Sequence, residues 1–369
     1  MTWDKNEIQS LRVVHVITTI ERGGAELQLL EATRSLKELG VDSSIVYLKG
    51  EPELYLPFKE LGAELIDLSS ISLLSKVLNL RKYLKKRKVR IIHAHLPRSE
   101  VISYFARLCT GTKLIITRHN SEAFWPEMPR VLSSFISRII SGKASKVIVI
   151  SNAVLNFLVK NEELNSSSLK NVRLIYYGFS AIKIMPRKKK IATVEIKVGT
   201  VARLEPQKNL TDLLRAVALV KEYSNVSLQF VGEGSERLKL GNLSKSLSLE
   251  NVVKFLGKTD LVQEFLQSLN VFVLPSKYEG FGAVLVEAMQ ANVPVVASNT
   301  SSIPEVLGPN YPALFEVGDF REMANLILRL KDKTFNDFCT SFYSKQLQKF
   351  SAELMAKELL ETYQETLSR

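Results

Sequence analysis

Residues 271–307 read VFVLPSKYEGFGAVLVEAMQANVPVVASNTSSIPEVL, and their pattern decides the fold class. The apolar run 271–274 has the length of a strand, and a glycine-containing loop separates it from a helical pattern at 282–290. The apolar run 294–297 predicts a second strand. Neither run alternates polar with apolar residues, which is typical of parallel strands covered on both faces. The stretch therefore predicts a strand–helix–strand unit of an α/β domain.

The same alternation continues on both sides of this stretch and forms two series. The first has strands at 11–19, 43–48, 64–68, 90–94, 113–117 and 146–150, with helices at 24–39, 54–61, 73–88, 98–109 and 126–141. The second has strands at 197–200, 227–231, 252–255, 271–274 and 294–297, helices at 210–223, 235–247, 261–268 and 282–290, and helical patterns at 320–332, 335–349 and 352–367. The pattern predicts two Rossmann-like domains with a boundary within 178–195, and a ligand site in the cleft between them, beyond the carboxyl ends of the strands.

Length and composition agree with this interpretation. The chain has 369 residues, 46% apolar and 24% charged, as expected for a globular protein of about two domains. No run reaches the roughly 18 apolar residues that a membrane-spanning helix needs, and residues 1–10 lack a secretory-signal pattern. Cys109 and Cys339 have no zinc-ligand spacing, so we expect neither a disulfide scaffold nor structural zinc, in a reducing cytosolic setting.

Positive charge is concentrated in the first half. The formal net charge is +12, and residues 1–180 hold 26 basic against 17 acidic residues. The segment Arg81–Arg90 is strongly basic and ends a helical pattern with an apolar face. Such a helix can lie on an anionic bilayer; alternatively, it packs on its own sheet with a solvated basic end. We interpret a second basic run, Arg187–Lys190, as a solvated linker, and nucleic acid is not expected as a partner because no aromatic-interleaved basic motif is present.

The loop before the helix at 282–290 has the features of an anion site. Gly280 and Gly282 let the backbone approach a ligand, and N–H groups at a helix start bind phosphate. Glu287 lies one to two turns further along, within reach of a ribose attached to that phosphate. The alternative is a solvated helix position, but its apolar neighbours indicate a buried helix, in which a lone acid needs a partner.

A second cluster, ARLEPQKNL at 202–210, follows a predicted strand. Arg203 and Lys208 are two cations on one loop, an arrangement that suits a diphosphate; on spacing alone, ordinary surface charges remain the alternative. Asn209 is expected to cap the next helix, with Asp212 at the capping-box position.

Glycines and histidines mark the strand ends of the first half. The pair Gly23–Gly24 follows the first strand and is a further place for close backbone approach, or else an ordinary tight turn. It is not part of a GxGxxG motif, which argues against a dinucleotide-binding dehydrogenase. His93, His95 and His119 end predicted strands, and we expect His93 to be structural. His15 lies inside the first strand and is expected in the core.

These motifs together resemble one family. In chain order they are GGAE at 23–26, HAH at 93–95, RHN at 118–120, VIVIS at 147–151, IYYGF at 175–179, ARLEPQKNL at 202–210, FVGEGSER at 230–237, FLG at 255–257 and the E-x7-E pair Glu279 and Glu287. They resemble the retaining glycosyltransferases of family 4 (glycosyl transferases group 1), which have the GT-B fold. The resemblance spans nearly the whole chain and implies two Rossmann-like domains that face each other across a deep cleft. It implies an acceptor-binding domain at residues 1–177, to which a helix at 352–369 returns. Residues 178–351 would form the domain that binds the nucleotide-sugar donor.

The resemblance also implies roles for the matched residues of the second half. Arg203 and Lys208 would hold the donor diphosphate, and Glu279 would bind the O3 and O4 side of the donor sugar. Glu287 would bind the ribose hydroxyls. Backbone N–H groups that would bind phosphate or sugar hydroxyls belong to Gly280, Phe281, Gly282 and Ala283.

In the first half, the resemblance places His119 near O6 of the donor sugar and the reacting centre. Gly24 would lie against the phosphates and the acceptor. The sequence departs from the family pattern at Tyr177, where Asn is frequent, and at the pair Ser301–Ser302, where the family usually has Gly-Gly. Serines there narrow the freedom of the backbone near the donor sugar.

The activity that the resemblance implies is transfer of a sugar from a UDP- or GDP-sugar to an acceptor hydroxyl, with retention of configuration. No DxD motif is present, so neither metal nor cofactor is expected, and the two cations and the helix start would stabilise the leaving diphosphate. The basic first half suits a lipid-linked glycan or glycolipid acceptor at the inner face of the cytoplasmic membrane, as in surface-polysaccharide assembly. Alternatives are a sugar-nucleotide epimerase, a phosphorylase or a non-catalytic scaffold with the same fold.

Overall fold

A computed structural model of the chain describes residues 11–180, 184–186 and 195–368. The basic run Arg187–Lys190 and residues 1–10, on which two expectations rest, lie outside the described residues. The chain divides into two compact units, Met1–Ala181 with Phe350–Arg369, and Ile182–Lys349. Each unit is an α/β domain built on one parallel sheet, as the alternation of strands and helices predicted. No described helix has both the length and the apolar character needed to cross a membrane.

The first unit has a seven-stranded parallel sheet in the order β3-β2-β1-β4-β5-β6-β7. Its strands are β1 (Arg12–Ile17), β2 (Asp42–Tyr47), β3 (Glu64–Asp67), β4 (Ile91–His95), β5 (Lys113–Arg118), β6 (Lys146–Val149) and β7 (Val172–Leu174). Its helices are α1 (Gly24–Glu38), α2 (Tyr55–Glu60), α3 (Leu73–Lys86), α4 (Pro97–Ala106), α5 (Arg130–Lys143), α6 (Asn152–Lys160) and α7 (Ser166–Leu169), together with the last helix of the chain.

The second unit has a six-stranded parallel sheet in the order β10-β9-β8-β11-β12-β13. Its strands are β8 (Ile196–Val201), β9 (Val226–Val231), β10 (Val253–Phe255), β11 (Val271–Leu274), β12 (Val295–Ser298) and β13 (Leu314–Phe315). Its helices are α8 (Leu210–Tyr223), α9 (Arg237–Ser246), α10 (Val262–Ser268), α11 (Ala283–Gln290), α12 (Ile303–Leu307), α13 (Phe320–Arg329), α14 (Lys333–Ser341) and α15 (Tyr343–Leu347). The last helix, α16 (Ala352–Leu367), packs against α1 in the first unit.

Two helix predictions were wrong in their bounds. The single helix expected over 335–349 is two helices, α14 and α15, which are divided at Phe342 although the backbone of this residue keeps α-helical φ and ψ angles. The helix expected from residue 126 begins only at Arg130, since Pro129 precedes it with extended backbone, and proline cannot donate a backbone N–H. Helices α6, α7 and α12 were not predicted.

The two faces of the first sheet are covered by different helices. Right-handed crossovers run in opposite directions from the centre of this sheet, which places α1 and α16 on one face and α4 and α5 on the other. The α1 and α16 side packs around an apolar core that includes Val13, Ile91 and Tyr363. Because side chains alternate along a strand, residues two apart from Val13 and Ile91 point to this same side.

Candidate active site

The start of helix α11 depends on a left-handed glycine. β11 ends at Leu274, and the loop that follows reaches Gly282, which precedes the helix with a φ of 82°. L-residues rarely adopt this conformation, and a Cβ at this position would lie 3.1 Å from the side chain of Leu285. The glycine therefore permits the turn. The N-terminal end of α11, which begins at Ala283, carries a partial positive charge that favours an anion.

Glu279 and Lys208, two of the predicted site residues, are paired directly. The Nζ atom of Lys208 lies 2.5 Å from Oε1 of Glu279, and the hydroxyl of Ser276 donates to the same oxygen at 2.6 Å. Both charged side chains are largely buried. An ammonium group has three N–H donors, so Lys208 can bind Glu279 and still donate to a phosphate.

The loops that hold this pair are joined by two hydrogen bonds. β8 and β11 are neighbours in the sheet, so the loops after them adjoin. The backbone N–H of Lys277 donates to the Gln207 carbonyl at 2.8 Å, and Nε2 of Gln207 donates to the Tyr278 carbonyl at 2.9 Å. These bonds explain how residues 71 positions apart in the chain meet.

Arg203 and Asn209 differ in how far the structure supports their predicted roles. Arg203 is exposed on the loop after β8, and its guanidinium makes no hydrogen bond or ion pair within the described chain. The capping role expected for Asn209 was wrong. Its backbone is left-handed, with a φ of 51°, and its amide donates to the Asp212 carboxylate at 2.7 Å instead of capping α8.

Glu287 is an acid whose carboxylate has no polar partner among the described residues. It lies in the second turn of α11 and is partly buried between the buried residues Val286 and Ala288. Within the described ranges, its carboxylate makes no hydrogen bond or ion pair. Burial raises the pKa of Glu287 to about 7. A carboxylate in this state gains from a ligand that supplies hydroxyl donors, such as a ribose.

The serine pair that departs from the family pattern adopts a glycine-like turn. Ser301 has a φ of 50°, in the left-handed region, although it is not glycine. Ser302 is fully buried, and its hydroxyl donates to the backbone carbonyl of Glu279 at 3.2 Å. The second serine therefore fixes the backbone beside the Lys208–Glu279 pair.

All four histidines of the chain lie together in the first unit. Their rings are on the α1 and α16 side of the sheet, and three of them, His15, His95 and His119, form a chain of hydrogen bonds that ends at Tyr177. The bonds join Tyr177 Oη to His119 Nδ1 (2.7 Å), His119 Nε2 to His95 Nδ1 (3.1 Å), and His95 Nε2 to His15 Nδ1 (3.1 Å). Burial lowers the pKa of His15 and of His119 to about 3, so both rings are neutral at pH 7.

The same cluster offers one candidate metal centre among the described residues. One ligand atom from each of His15, His93 and His95 lies within 4.8 Å of the others. However, His93 already bonds Tyr363 Oη at 2.9 Å and Thr117 Oγ1 at 2.7 Å, and His95 uses both of its nitrogens. Only Nε2 of His15 has no partner within the described chain. A metal would have to displace these bonds, so the donor set fits a hydrogen-bonded cluster better.

His119 lines two cavities of the first unit, and so does Thr117. One cavity, of about 40 Å³, is also lined by His15, His95 and Gln28, and the other, of about 160 Å³, by Asn120 and Pro126. His119 is buried, but it belongs to the wall of a pocket large enough for part of a ligand.

The preceding residue, Arg118, lies on the other face of the sheet in a buried ionic cluster. Its guanidinium is 3.0 Å from Glu100, 3.2 Å from Glu163 and 3.0 Å from the hydroxyl of Ser141. Burial raises the pKa of Glu100 to about 7, although the nearby Arg118 opposes this shift. This cluster connects β5 to α4, α5 and the loop after α6.

Gly24 lies at the first position of α1, after β1. A Cβ on Gly24 would meet open space, whereas a Cβ on Gly23 would collide with the carboxylate of Glu26. Glu26 in turn accepts a hydrogen bond of 2.6 Å from Thr19. A Cβ at Gly23 would meet the end of a flexible side chain, which can move, and Gly24 has space for a Cβ. The fold therefore does not require Gly24, and a glycine at this position suits the close approach of a ligand.

The structure thus brings together Lys208, Glu279 and the start of α11. In the same helix, Glu287 has no polar partner within the part of the chain that the structure describes. His119 and Gly24 belong to the other unit. Sequence reasoning missed Ser276, which bonds Glu279, and Tyr177, which bonds His119. No local signal identifies either residue, since both act through partners distant from them or across a turn.

Two family models match the chain. Glycosyltransferase Family 4 matches residues 22–180, and Glycosyl transferases group 1 matches residues 182–345. Together with the two parallel α/β units and the paired Lys208 and Glu279, these matches show that the chain belongs to the group 1, family 4 glycosyltransferases. It has their GT-B fold and is a glycosyltransferase.

Individual relatives agree with this assignment. CapH of Staphylococcus aureus, a capsular polysaccharide biosynthesis glycosyltransferase, is 25% identical over 95% of this chain and 100% of its own length. The putative glycosyltransferase EpsF of Bacillus subtilis is 26% identical over 78% of this chain and 79% of its own length. The structure of Anabaena HepE in complex with UDP is similar with a TM-score of 0.83 and 21% identity, over 96% of this chain and 100% of HepE; it shows the fold alone.

Proposed function

We propose that the protein transfers a sugar from a UDP- or GDP-sugar to an acceptor hydroxyl, with retention of the anomeric configuration. The observation that carries this proposal is the site of the second unit, where the Lys208–Glu279 pair and the glycine-dependent start of α11 accompany the unpartnered acid Glu287. These groups suit a diphosphate, a sugar and a ribose, respectively. The similar protein HepE was crystallised with UDP, which supports a nucleotide-sugar donor.

The proposed chemistry relies on positive groups at the leaving diphosphate. As the bond between C1 of the sugar and the phosphate oxygen breaks, negative charge grows on that oxygen. Arg203, Lys208 and the N-terminal end of α11 stabilise this charge, and they require no metal ion. The acceptor oxygen bonds to C1 on the same face, and its proton passes to the departing phosphate oxygen. Atoms and charge therefore balance without an enzyme nucleophile.

We propose that His119 and Gly24 contribute to the reaction from the first unit, which binds the acceptor. The neutral His119 ring, held by Tyr177 and His95, would lie near O6 of the donor sugar. Gly24 would let backbone approach the phosphates and the acceptor, because its α-carbon faces open space.

We propose a lipid-linked glycan or glycolipid as the acceptor, in surface-polysaccharide assembly at the inner face of the cytoplasmic membrane. The similar protein CapH is a glycosyltransferase of capsular polysaccharide biosynthesis, which supports this class. The basic segment Arg81–Arg90, which lies at the end of α3 and beyond it, is the membrane contact that the sequence favours.

The donor is tested first. Thermal-shift screening of UDP- and GDP-sugars, followed by hydrolysis assays of the sugars that bind, should identify one donor whose turnover continues in a metal chelator. Glu287→Ala should raise the donor KM or abolish turnover. An unchanged kcat/KM for this variant would remove Glu287 from the site, and donor isomerisation without acceptor would indicate an epimerase instead.

Gly24→Ala tests the role of the first unit. Because a Cβ at Gly24 meets nothing within 4 Å, the variant should keep the wild-type melting temperature. We expect kcat/KM to fall by about tenfold or more, since a methyl group would block the approach of a ligand. Gly241→Ala, in α9 of the second unit, is the matched control and should retain full activity. Full activity of Gly24→Ala would contradict the proposed role.

A further inference from the structure

The helices on one face of the first sheet carry a large excess of positive charge. We call α3, α4 and α5 the basic layer. Their basic residues are Lys76, Arg81, Lys82, Lys85, Lys86, Arg98, Arg130, Arg138 and Lys143, and their one acidic residue, Glu100, is buried against Arg118. On the opposite face, α1 and α16 hold seven acidic residues and three basic residues. The first unit is therefore polarised, and the outer surface of the basic layer is cationic.

Helix α5 is inverted with respect to an ordinary surface helix. Its buried face carries serines, which serve the ionic cluster of Arg118: Ser137 donates to Glu163 at 2.6 Å, and Ser141 accepts from Arg118 at 3.0 Å. The exposed face carries Val131, Leu132, Phe135 and Ile139. A helix that only packs on its own sheet turns its apolar side inward. The outward apolar face of α5 is thus not explained by the packing of the first unit.

The exposed apolar residues of α5 form one patch. Val131 is 85% exposed and Phe135 is 60% exposed, and both lie with Ile139 at spacings of four residues on one side of the helix. Beside them, a groove of about 340 Å³ is lined by Val131 and Phe135, by the cations Arg130, Arg138 and Lys160, and by one acid, Glu162. The apolar centre and the net positive margin, with three cations against one acid, match the boundary between acyl chains and anionic headgroups.

Neighbouring helices extend this surface. Arg81 of α3 donates to the carbonyl of Phe105 in α4 at 2.7 Å, and Arg107, just after α4, donates to the carbonyl of Lys143 in α5 at 2.9 Å. Leu74 and Leu78 of α3 and Phe105 of α4 are exposed as well. The three helices are therefore joined side by side, and each adds apolar and basic groups.

We propose that the basic layer docks on an anionic lipid bilayer and that the exposed apolar side chains of α5 enter the headgroup boundary. The charge selects an anionic partner, and the apolar patch favours a lipid surface over a soluble polyanion. This proposal deepens the membrane contact proposed above, which the sequence placed at Arg81–Arg90 alone, and moves its centre to α5. It does not depend on which sugar is transferred.

The test is co-sedimentation of the full-length protein with vesicles, in the absence of donor and acceptor. Wild type should bind vesicles that contain about one third phosphatidylglycerol at least tenfold more tightly than vesicles of phosphatidylcholine alone, and added salt should weaken the binding. The double variant F135S/I139S should lose at least tenfold in affinity for the anionic vesicles. The control L238S changes a side chain that is 76% exposed on α9 and should bind as wild type does.

Three results would overturn the proposal. One is equal binding by F135S/I139S and wild type, and another is equal binding of wild type to both kinds of vesicle. The third is a dimer in light scattering without lipid that F135S/I139S abolishes, because the basic layer would then contact the acidic face of a second copy. Melting curves check that the variant is folded, and donor hydrolysis with a soluble nucleotide-sugar is measured separately. Loss of lipid binding with intact hydrolysis separates this proposal from the proposed activity.

Discussion

The two units place their polar side chains at different positions of otherwise similar sheets. In the second unit, Lys208 and Glu279 lie on loops beyond the ends of β8 and β11. In the first unit, His15, His93 and Arg118 lie on the strands themselves and are buried inside the layers. A group on a loop can exchange its partner for a ligand without disturbing the sheet, whereas a charged group within the layers cannot lose its partner without a large cost.

This difference separates activity from stability. Changes to polar groups on the loops of the second unit should act mainly on turnover, and changes to the charged groups inside the first unit should act mainly on folding. Variants that remove one group from each place test how far this separation holds.

The largest effect is expected for Arg118→Met. The substitution leaves Glu100 and Glu163 buried without their cation, and such a loss destabilises a protein by about 3–5 kcal/mol. Trp125 belongs to the first unit, so its fluorescence during urea unfolding reports on this unit. Arg173→Met removes an exposed partner of Glu365 and should cost less than about 1 kcal/mol. Similar losses in the free energy of unfolding for both variants would show that the buried cluster of Arg118 is no more sensitive to the loss of a partner than an exposed ion pair.

In the second unit, Glu287→Gln is expected to stabilise the protein, in contrast to the destabilisation expected for Arg118→Met. Burial raises the pKa of Glu287 from its ordinary value of 4.5 to about 7, so the folded chain keeps this proton to a higher pH than the unfolded chain does. The ionisable group therefore lowers stability as pH rises through that interval. The variant should be about 2 kcal/mol more stable than wild type at pH 8, and equally stable at pH 4.5. Thermal denaturation at the two pH values measures this.

The same variant should lose activity, because glutamine cannot accept two hydroxyl donors as a carboxylate does. We expect kcat/KM to fall by about ten- to a hundredfold. Glu279→Gln is the matched variant, and it should gain no stability at pH 8, since it breaks the bond to Lys208. If Glu279→Gln were stabilised or Glu287→Gln destabilised at pH 8, the presence of a polar partner for the carboxylate would not determine the change in stability.

A smaller effect is expected for His95→Gln. Since His95 bonds both His15 and His119, the proton positions on these rings are coupled along the chain of hydrogen bonds. The substitution should change the ¹⁵N chemical shifts of the His119 ring and reduce kcat by about tenfold. His93→Gln is the control, because His93 bonds Tyr363 and Thr117 and makes no bond to His119. Unchanged His119 shifts in His95→Gln would show that the rings are independent.

The sequence allowed prediction of the second unit's site more fully than of the first unit's interior, and the reason is distance along the chain. Gly282, Glu279 and Glu287 lie within one strand–loop–helix segment, whose local pattern predicted the turn and the helix start. The exact pairing of Lys208 with Glu279 was not predicted, because it depends on the adjacency of β8 and β11. The left-handed backbone of Asn209 overrode its capping preference for a similar reason: the loop is held by tertiary bonds.

The histidine cluster could not be predicted from local patterns. Its members come from three strands, and only the strand order β1-β4-β5 and the register of His15 with His93 bring them together. The inverted helix α5 illustrates the same limit. The sequence predicted a helix over 126–141, but which of its sides faces the sheet depends on Arg118, a residue of another element.

The smallest effect is expected at the serine pair of the second unit. Ser301 adopts a left-handed conformation that costs about 1 kcal/mol in a non-glycine residue, and Ser301→Gly removes that cost. The substitution also raises the conformational entropy of the unfolded chain, which opposes folding by a similar free energy. Net stability should change by less than about 0.5 kcal/mol. The relative kcat/KM for alternative donor sugars should shift instead, because the backbone beside Glu279 gains freedom.

Ser302→Gly provides the contrast within the pair. It removes the bond to the Glu279 carbonyl and leaves a buried acceptor without its donor, so it should cost about 1 kcal/mol or more. Thermal denaturation compares the two variants directly. If Ser301→Gly destabilised the protein as much as Ser302→Gly, the first serine would have a structural role that its turn geometry does not reveal. An unchanged donor preference in both variants would show that the freedom of this turn does not select the sugar.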